Sequence, residues 1–507
     1  MLLTRSVVAL AAVGVLCGCG STIEASYQSP AAGGNAAAAP AAGSSPLVGG
    51  STPSSAAGSM PSAAAPARGA GAGTRAGGVA GGTPGISPSG GTAAAPGGRA
   101  TGSSATAKPA DTSPIDIGFI VTKVSNLGSF GIANSGQTIA DEDIDNAMVA
   151  AMNKRGGIDG RKIVPIYGVT DTAASNWSGA FQAACADFTQ DHHVAAVVGY
   201  IFVYLESFES CLAKAGVPHL YGGYAPGDIA DQSQFPTLVS TTNPSVDLHY
   251  KIGISGAIAA GLLTPKTKLG VMLDTCADDN VGFSHLAAPY LTAHHINFVT
   301  FTLDCAQGSG DDAKEVGQVG SAELRFRAEG VTTVFAEGPA ALFFALAAET
   351  QGWHPQYLMT SAGAAFEGNL PATTLSHFHG FGWEPSADVD ANHQPYAWTP
   401  AERRCLDMAK SEGLRPSGYN DYMGIFTSCD GLELYAAALA ADGGQTSAGP
   451  VVAALKSVIG KTQLASVYGG RGREAADERG GPSVYRQWGW APKCSCFEYM
   501  GPTYSVS

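Results

Sequence analysis

The sequence predicts an α/β protein built from two doubly wound parallel-sheet lobes. Runs of buried-strand type alternate with amphipathic stretches through residues 113–507, an order that is typical of parallel sheets covered by helices. The alternation stops and then restarts at Lys268–Asp274 (KLGVMLD). Residues 113–507 also number 395, which is enough chain for about two domains.

The first set of elements begins with the apolar run Ile115–Val121 (IDIGFIV), which has the composition of a strand buried on both faces. An amphipathic stretch over Thr138–Lys154 follows and stops at Gly156-Gly157, so it predicts a helix. The later elements alternate in the same way and are strand Lys162–Tyr167, helix Trp177–Thr189, strand Ala195–Tyr200, helix Tyr204–Ala215 and strand Pro218–Tyr221.

The second set repeats this order after the strand Lys268–Asp274. Its members are helix Phe283–Thr292, strand Ile296–Leu303, helix Asp312–Ala328, strand Thr332–Ala336, helix Pro339–Gln351 and strand Gln356–Thr360. Because the same order occurs twice, we expect two separate lobes rather than one continuous sheet.

The first 19 residues predict a lipoprotein signal sequence. Arg5 gives a short positive segment, Ser6–Leu16 form an apolar run, and Leu16-Cys17-Gly18-Cys19 ends it with a small residue before a cysteine. These last four residues resemble the bacterial lipoprotein signal, which implies lipid attachment at Cys19. A plain secretory signal cut at a small residue is the alternative. No later apolar run approaches the roughly 20 residues of a membrane-spanning helix, so we expect the lipid to be the only anchor, on the outer face of the bacterial cell membrane.

Residues 20–112 predict a disordered tether. Six of these 93 positions are charged and almost all others are Ala, Gly, Ser, Pro or Thr, so the segment cannot offset the entropy cost of ordering. Attachment of sugars to its hydroxyl residues is an alternative use.

The rest of the chain is acidic. Residues 113–507 carry 23 basic and 40 acidic side chains, a net charge of −17. A field of that sign repels phosphate backbones and anionic lipid. We therefore expect no nucleic-acid partner, and no contact with the membrane except through the lipid anchor.

Eight cysteines remain when Cys17 and Cys19 are set aside, and an even number in an exported chain predicts disulfides. Sequence alone allows about a hundred pairings. The predicted order of elements brings three pairs close together, and we expect the bonds Cys185–Cys211, Cys276–Cys305 and Cys405–Cys429. A bond between Cys494 and Cys496 would close a strained small ring on a strand, where neighbouring side chains point apart, so their pairing stays open.

Motifs of catalysis and of metal binding are few. The sequence has no Gly-x-Ser-x-Gly, no His-Glu-x-x-His and no P-loop. Gly308–Ala313 loosely fits a dinucleotide loop, but its acidic pair would stand where a pyrophosphate must bind. His377 and His379 share one face of a possible strand without a third metal ligand, and Asp278-Asp279 is interpreted as a solvated loop. We therefore expect no enzyme, no metal and no cofactor.

Six segments carry a resemblance to one family of proteins. They are IDIGFIV, KRGGIDGRKIVPI, AAVVGY, CLAKAGVPHLYGG, KLGVMLDTCADDNVGFS and NDYMGIFTSCDGLELYAAALAADGG. In this order and spacing they resemble the type I periplasmic solute-binding proteins, the branched-chain amino acid binding family of ABC importers. The resemblance covers most of residues 113–507. It implies a hinge of three crossovers, with lobe one at 113–242 plus 386–482 and lobe two at 243–385 plus 483–507.

A ligand site is expected between the lobes, because loops and helix N-termini converge beyond the carboxyl ends of parallel strands. The predicted ligand-binding residues at or beside these strand ends are Asn126, Phe130, Tyr200, Phe202, Tyr221, Tyr224, Asp274, Phe283 and Glu337. Tyr422 resembles a family position that often points at the cleft. Each aromatic residue has the alternative role of a lid over the sheet, and Glu337 that of capping a helix.

The strand ends differ from those of amino-acid binders in the family, which usually carry small hydroxyl residues that hold a carboxylate and an amine. Here Tyr200, Phe202 and Tyr224 stand at these places, while Glu337 and Asp274 would make the opposite wall acidic. Aromatic faces and carboxylates both favour cations. We therefore expect a small ligand that is neutral or cationic and partly apolar or aromatic.

Together these features predict an extracytoplasmic solute-binding lipoprotein that captures a small molecule between two lobes and delivers it to an ABC permease. A ligand-sensing lipoprotein, which signals to a membrane partner without transport, is the first alternative. An exported enzyme on the same fold is the second.

Overall fold

Two seven-stranded sheets organise the described chain. The computed structural model describes residues 112–125, 136–275, 279–361, 363–389, 398–474 and 479–506. The predicted signal sequence with Cys19 and the predicted tether up to residue 111 lie outside these ranges, and so do the predicted site residues Asn126, Phe130 and Cys276. Within the described ranges, no helix has the length and apolar character needed to cross a bilayer.

The eight predicted strands are present in the predicted order through residue 359, and one strand that was not predicted, Leu238–Ser240, lies between the fourth and the fifth of them. In chain order the strands are β1 Ile115–Lys123, β2 Ile163–Asp171, β3 Ala196–Gly199, β4 His219–Tyr221, β5 Leu238–Ser240, β6 Lys268–Asp274, β7 Asn297–Leu303, β8 Thr333–Phe335, β9 Gln356–Met359, β10 Phe378–Gly382, β11 Gly472–Glu474, β12 Arg479–Pro482, β13 Val484–Ala491 and β14 Cys496–Ser505. In β1, Ile117 and Phe119 are 0% exposed and Ile120 on the opposite face is 2% exposed. The continuous apolar run thus forms a central strand that is covered on both faces.

Helices separate most of these strands. They are α1 Asp141–Lys154, α2 Trp177–Ala186, α3 Glu206–Ala215, α4 Ile229–Gln234, α5 Val246–Ala259, α6 Asp279–Gly282, α7 Ala288–Ala293, α8 Asp312–Ala328, α9 Gly338–Thr350, α10 Ala364–Glu367, α11 Ala372–Leu375, α12 Pro385–Asp388, α13 Pro400–Ser411, α14 Tyr419–Asp442 and α15 Ala448–Val458. The predicted helix Phe283–Thr292 is interrupted, because Phe283–Ala287 form a π-helical turn between α6 and α7.

The two sheets repeat one topology. Sheet one has the order β11-β12-β5-β4-β3-β1-β2, and sheet two has the order β14-β13-β10-β9-β8-β6-β7. The strands from β2 to β12 in the first sheet and from β7 to β10 in the second are all parallel. The two doubly wound lobes predicted from the alternation are therefore confirmed. We call the part built on sheet one lobe one and the part built on sheet two lobe two.

A terminal hairpin of β13 and β14 extends sheet two with antiparallel pairing and was not predicted. Its strand signal is weak because a register shift between Arg486 and Gln487 breaks the alternation of side chains. Tyr485 and Trp488, three residues apart, are both buried as a result. An odd spacing of this kind does not match the period of two that identifies a strand in sequence.

The chain passes between the lobes three times, after β5, after β10 and between β12 and β13. Side chains tie these crossings together. Trp383 Nε1 donates a hydrogen bond to Asn243 Oδ1 at 2.8 Å, and Ser466 Oγ donates to the carbonyl of Thr241 at 3.1 Å. The three-crossover hinge is thus present, while the residue bounds given above for each lobe stay a prediction.

Two of the predicted disulfides are present in the described structure. Cys185–Cys211 joins α2 to α3 with Cα atoms 6.4 Å apart, and Cys405–Cys429 joins α13 to α14 with Cα atoms 5.8 Å apart. Because Cys276 lies outside the described residues, its pairing with Cys305 stays a prediction.

A third disulfide joins Cys494 to Cys496, whose Cα atoms are 5.2 Å apart. The strand geometry that argued against this bond does not apply, because Cys494 and Ser495 lie in the turn between β13 and β14. Ser495 has a φ of 53°, which folds the chain back on itself between the two cysteines. A turn can bring the two side chains to the same side, whereas a strand would separate them.

Candidate functional site

Acidic and tyrosine side chains meet at the carboxyl ends of the strands. Tyr200 follows β3, Tyr224 lies three residues after β4, and Asp274 ends β6. Burial raises the pKa of Tyr224 well above its usual value, and the charges of Glu337, Asp279 and Asp274 raise it further. Tyr224 comes from the lobe-one sheet and the three acids from lobe two, so both lobes contribute to one site.

Glu337 is the best defined of these acids. Only 8% of the residue is exposed, and its Oε2 accepts a hydrogen bond from Thr360 Oγ1 at 2.6 Å. No donor in the described structure reaches Oε1. Burial raises the pKa of Glu337 to about 8, although the hydrogen bonds from Thr360 act in the opposite direction. Glu337 precedes α9 but makes no side-chain capping bond to that helix, so the capping alternative does not describe it.

Asp279 corrects an expectation from the sequence, which interpreted Asp278-Asp279 as a solvated loop. Asp278 lies outside the described residues, whereas Asp279 begins α6 and is 2% exposed. Its Oδ2 accepts a hydrogen bond from the Tyr250 hydroxyl at 2.9 Å, and no described donor reaches Oδ1. Burial raises the pKa of Asp279 well above its usual value, and the charge of Asp274 adds to this. The residue is therefore part of the site and not of the solvated surface.

The hinge contributes a further buried acid, Glu384, which is 4% exposed and directly follows Trp383. Burial raises the pKa of Glu384 well above its usual value, and the charge of Asp388 raises it further. Burial likewise raises the pKa of the half-buried Tyr200, and Glu384 is the strongest of the charges that raise it further. Glu384 therefore faces the end of β3 in lobe one.

Aromatic rings connect the hinge to the strand ends. The ring of His249 lies 4.7 Å from that of Trp383 and 5.5 Å from that of Tyr224, measured between centroids. Burial lowers the pKa of His249 to about 3, so this imidazole is neutral at physiological pH. It therefore adds no positive charge to the acids around it.

The remaining predicted ligand-binding residues pack elsewhere in the described structure. Tyr221 is 0% exposed in the core of lobe one, and Phe283 is 2% exposed in the core of lobe two against Tyr250. Phe202 meets the ring of Trp177 edge-on at 5.1 Å. Tyr422 is 9% exposed in the lobe-one core. The structure thus brings together Tyr200, Tyr224, Asp274 and Glu337, and not these four.

Sequence reasoning missed Asp279, Glu384 and Tyr250. The rule that ligands sit beyond strand ends would have found Glu384, because it follows β10 by two residues, but β10 was noted only as a possible strand around His377 and His379, and its end was not considered. Tyr250 could not be found in this way, since it lies inside α5 and reaches the site only by packing.

The side chains with metal-ligand chemistry that the sequence singled out, and one further described group, are engaged with other protein groups. The one described group of three metal-type side chains with donor atoms within 4.8 Å of one another is Cys405, Cys429 and Asp430, and its two sulfurs are bonded to each other. His379 Nε2 and His377 Nδ1 lie 3.1 Å from the two amide atoms of Gln356. The side-chain amide of Gln356 thus contacts both histidines.

Comparison with known proteins identifies the fold. No protein-family model and no curated protein sequence matches the chain. A solute-binding protein of an ABC transporter from R. palustris, in complex with 4-hydroxybenzoate, is 14% identical with a TM-score of 0.55, over 78% of this chain and 97% of its own. LivJ from Streptococcus pneumoniae is a branched-chain amino acid transporter substrate-binding protein in complex with isoleucine. It is 16% identical with a TM-score of 0.53, over 77% of this chain and 100% of its own.

A possible leucine/isoleucine/valine-binding protein from Rhodopirellula baltica is similar to the same extent. It is 14% identical with a TM-score of 0.56, over 78% of this chain and 98% of its own. These matches span almost the whole of each solved structure, and the two sheets with three crossings account for them. The chain has the two-lobed fold of the type I periplasmic solute-binding proteins.

Proposed function

We propose that this protein is an extracytoplasmic solute-binding lipoprotein that captures a small organic cation between its two lobes and delivers it to an ABC importer. The fold supports a binding role, since solved structures that share it are solute-binding proteins of transporters. One observation carries the choice of ligand: Tyr224 and the acids Asp274, Asp279 and Glu337 come from different lobes and meet at the strand ends.

The acids at this meeting point favour a positive ligand, because a cation would stabilise their ionised forms. A buried carboxylate needs a partner, and the strongest electrostatic neighbours of Glu337, Asp279 and Glu384 are hydroxyl groups or other acids. Isoleucine and 4-hydroxybenzoate, named with the similar structures, both carry a carboxylate. A ligand carboxylate would be repelled here, whereas an ammonium group would both pair with the acids and lie favourably against the faces of Tyr200 and Tyr224.

The lobes already touch at one side of the cleft. The loop after β7 reaches the loop after β2, where Ser309 N donates to the carbonyl of Ala174 at 2.9 Å and Ser309 Oγ donates to that of Ala173 at 2.8 Å. Trp177 N donates to the carbonyl of Gln307 at 3.0 Å. A ligand that contacts both lobes favours this closed arrangement by its differential affinity for it, which supports capture by hinge closure.

A thermal-shift screen of the purified exported chain tests the proposal. Solutes would be grouped as organic amines, neutral compounds and carboxylates, because a ligand of the native state raises the melting temperature by mass action. We expect stabilisation by amines. Stabilisation by leucine, isoleucine, valine or other carboxylates, or by no solute at all, would contradict the proposal.

A further inference from the structure

We infer that the cleft takes an organic dication, in which two ammonium groups are joined by an apolar spacer, with one group beside Glu337 and the other beside Asp145. The inference rests on the proposed function and narrows its ligand class. It starts from the arrangement of the buried acids in two groups.

The first group lies in lobe two. Glu337 and Asp279 are each more than nine-tenths buried, and each has one carboxylate oxygen, Oε1 and Oδ1 respectively, that no described donor reaches. A Cβ atom placed on Gly338 would lie 3.7 Å from the Tyr224 ring, so this ring covers the chain directly after Glu337. The unpaired oxygens call for N–H donors, which a primary ammonium has and a quaternary ammonium lacks.

The second group lies in lobe one and the hinge. A small cavity at the end of β3 is bounded by Asp141, Asp145, Gly199, Tyr200 and Ser428. Asp141 is already used, since its carboxylate accepts hydrogen bonds from Thr122 N at 3.1 Å and Gln137 Nε2 at 2.8 Å. Asp145 is 5% exposed, borders the cavity and has the Ser428 hydroxyl as its one hydrogen-bonding neighbour among the described residues, and Glu384 has an Oε1 that no described donor reaches. Asp145 and Glu384 therefore remain for a second positive group.

Two tyrosines lie beside these groups. The acids that act most on Tyr200 are Glu384 and Asp141, whereas those that act most on Tyr224 are Glu337, Asp279 and Asp274. Tyr224 also lies within electrostatic range of Tyr200. Each acidic group thus has a tyrosine beside it, and aromatic rings suit a methylene spacer rather than a third charge.

The number and spacing of the buried acids argue against two simpler ligands, a single ammonium group and a metal ion. A single ammonium group would stabilise the ionised acids of only one of the two ends, and no Lys or Arg is among the strongest neighbours of either end. A metal ion is disfavoured, because no three of these carboxylates have oxygens within 4.8 Å of one another. An organic dication can pair with both acidic ends and does not require three carboxylates to meet at one point.

Calorimetric titration of the full exported chain tests the inference directly. The probes are α,ω-diaminoalkanes of increasing chain length, each compared with the monoaminoalkane and the diol of the same length. We expect one diamine length to bind at least about tenfold more tightly than its monoamine, because a second charge-assisted hydrogen bond is gained. This comparison uses the unaltered protein and does not depend on any variant folding.

Two isosteric variants then test which acid binds each ammonium group. Glu337→Gln and Asp145→Asn should each lower diamine affinity towards that of the monoamine, whereas Glu323→Gln should not. Glu323 is the matched control, being a buried acid of lobe two that pairs with Arg327 at 3.1 Å.

Other outcomes would overturn the inference in distinguishable ways. Equal affinity for monoamines and diamines would exclude a dication as the ligand but would agree with the proposed function. Binding of Mg²⁺ or Ca²⁺ alone, abolished by the same two variants, would replace it with a metal site. Binding of carboxylates alone would contradict both the inference and the proposed function.

Discussion

Glu337 holds a proton at neutral pH because its carboxyl group is buried. Its pKa is raised to about 8, and the groups that face it are Asp279 and the hydroxyls of Tyr224 and Tyr250, with Thr360 on the neighbouring strand end. A cation next to Oε1 would stabilise the ionised form. Binding should therefore be coupled to release of this proton.

We expect affinity for an organic cation to increase as the pH rises from about 6 to about 8, and to level off above that range. Titration calorimetry in buffers of different ionisation enthalpy would count the protons released. Glu337→Gln should reduce both the released protons and the pH dependence, while the control Glu323→Gln should retain them. An affinity that does not change with pH in the unaltered protein would contradict this prediction.

The unliganded protein should show the opposite trend in stability. The folded chain keeps a proton on Glu337 that the unfolded chain, with a pKa of 4.5, has already lost. Its contribution to the free energy of unfolding is complete below about pH 4.5 and is lost as the pH rises through about 8. His249, whose pKa is lowered from 6.5 to about 3, costs stability only as the pH falls below 6.5.

Calorimetric melting between about pH 6.5 and pH 8 isolates the acids from His249. We expect the melting temperature of the unliganded protein to fall across this window, and to fall less in Glu337→Gln. Other buried acids contribute to the slope, so only the difference between the variant and the unaltered protein measures Glu337. Equal slopes in the two proteins would show that Glu337 is ionised throughout.

Among the elements, those with a strong local signal could be predicted and those held by distant packing could not. β1 has a continuous apolar run and α3 stops at Gly216 with a φ of 74°, and both match their predicted ends closely. β10 (FHGFG) was noted only as a possible strand around His377 and His379, because two of its five residues are glycines and its neighbours are β9 and the distant β13. That omission also concealed Glu384.

The same contrast applies to the site. Strand ends predicted Tyr200, Tyr224, Asp274 and Glu337, since the position alone decides where such residues lie. The position at a strand end did not decide which way an aromatic ring turns. Tyr221 ends β4, but its ring faces the lobe-one core. For a residue on a strand the face depends on a register that a short strand of three residues does not reveal.

The loop after β7 provides a test of closure at the level of one element. Ser309→Ala removes the hydrogen bond from Ser309 Oγ to Ala173, which joins the two lobes. We expect this variant to weaken ligand binding by about 1 kcal/mol, through faster dissociation, with little change in the unliganded melting temperature. Stopped-flow kinetics would measure the dissociation rate. Ser321→Ala, which loses only a bond to Gly317 within α8, is the control and should bind normally.

At the scale of the whole molecule, the proposed anchor determines where the binding lobes work. If Cys19 carries the lipid, Cys19→Ala should be released into the medium or the periplasm while its ligand affinity stays unchanged, since residue 19 precedes the folded lobes by about 90 positions. Cell fractionation followed by immunoblotting measures the distribution. Continued retention of the variant in the membrane would contradict lipid attachment at this residue.

The position of Trp177 makes it a suitable site for a spectroscopic probe of lobe closure. Its backbone N–H bonds to Gln307 across the lobes, while its indole rests against Phe202, two residues beyond Tyr200. Separation of the lobes would break the first contact and change the surroundings of the partly exposed ring. A fluorine label on the indole would therefore give a spectroscopic signal that distinguishes open from closed molecules, without any dye attached to the cleft.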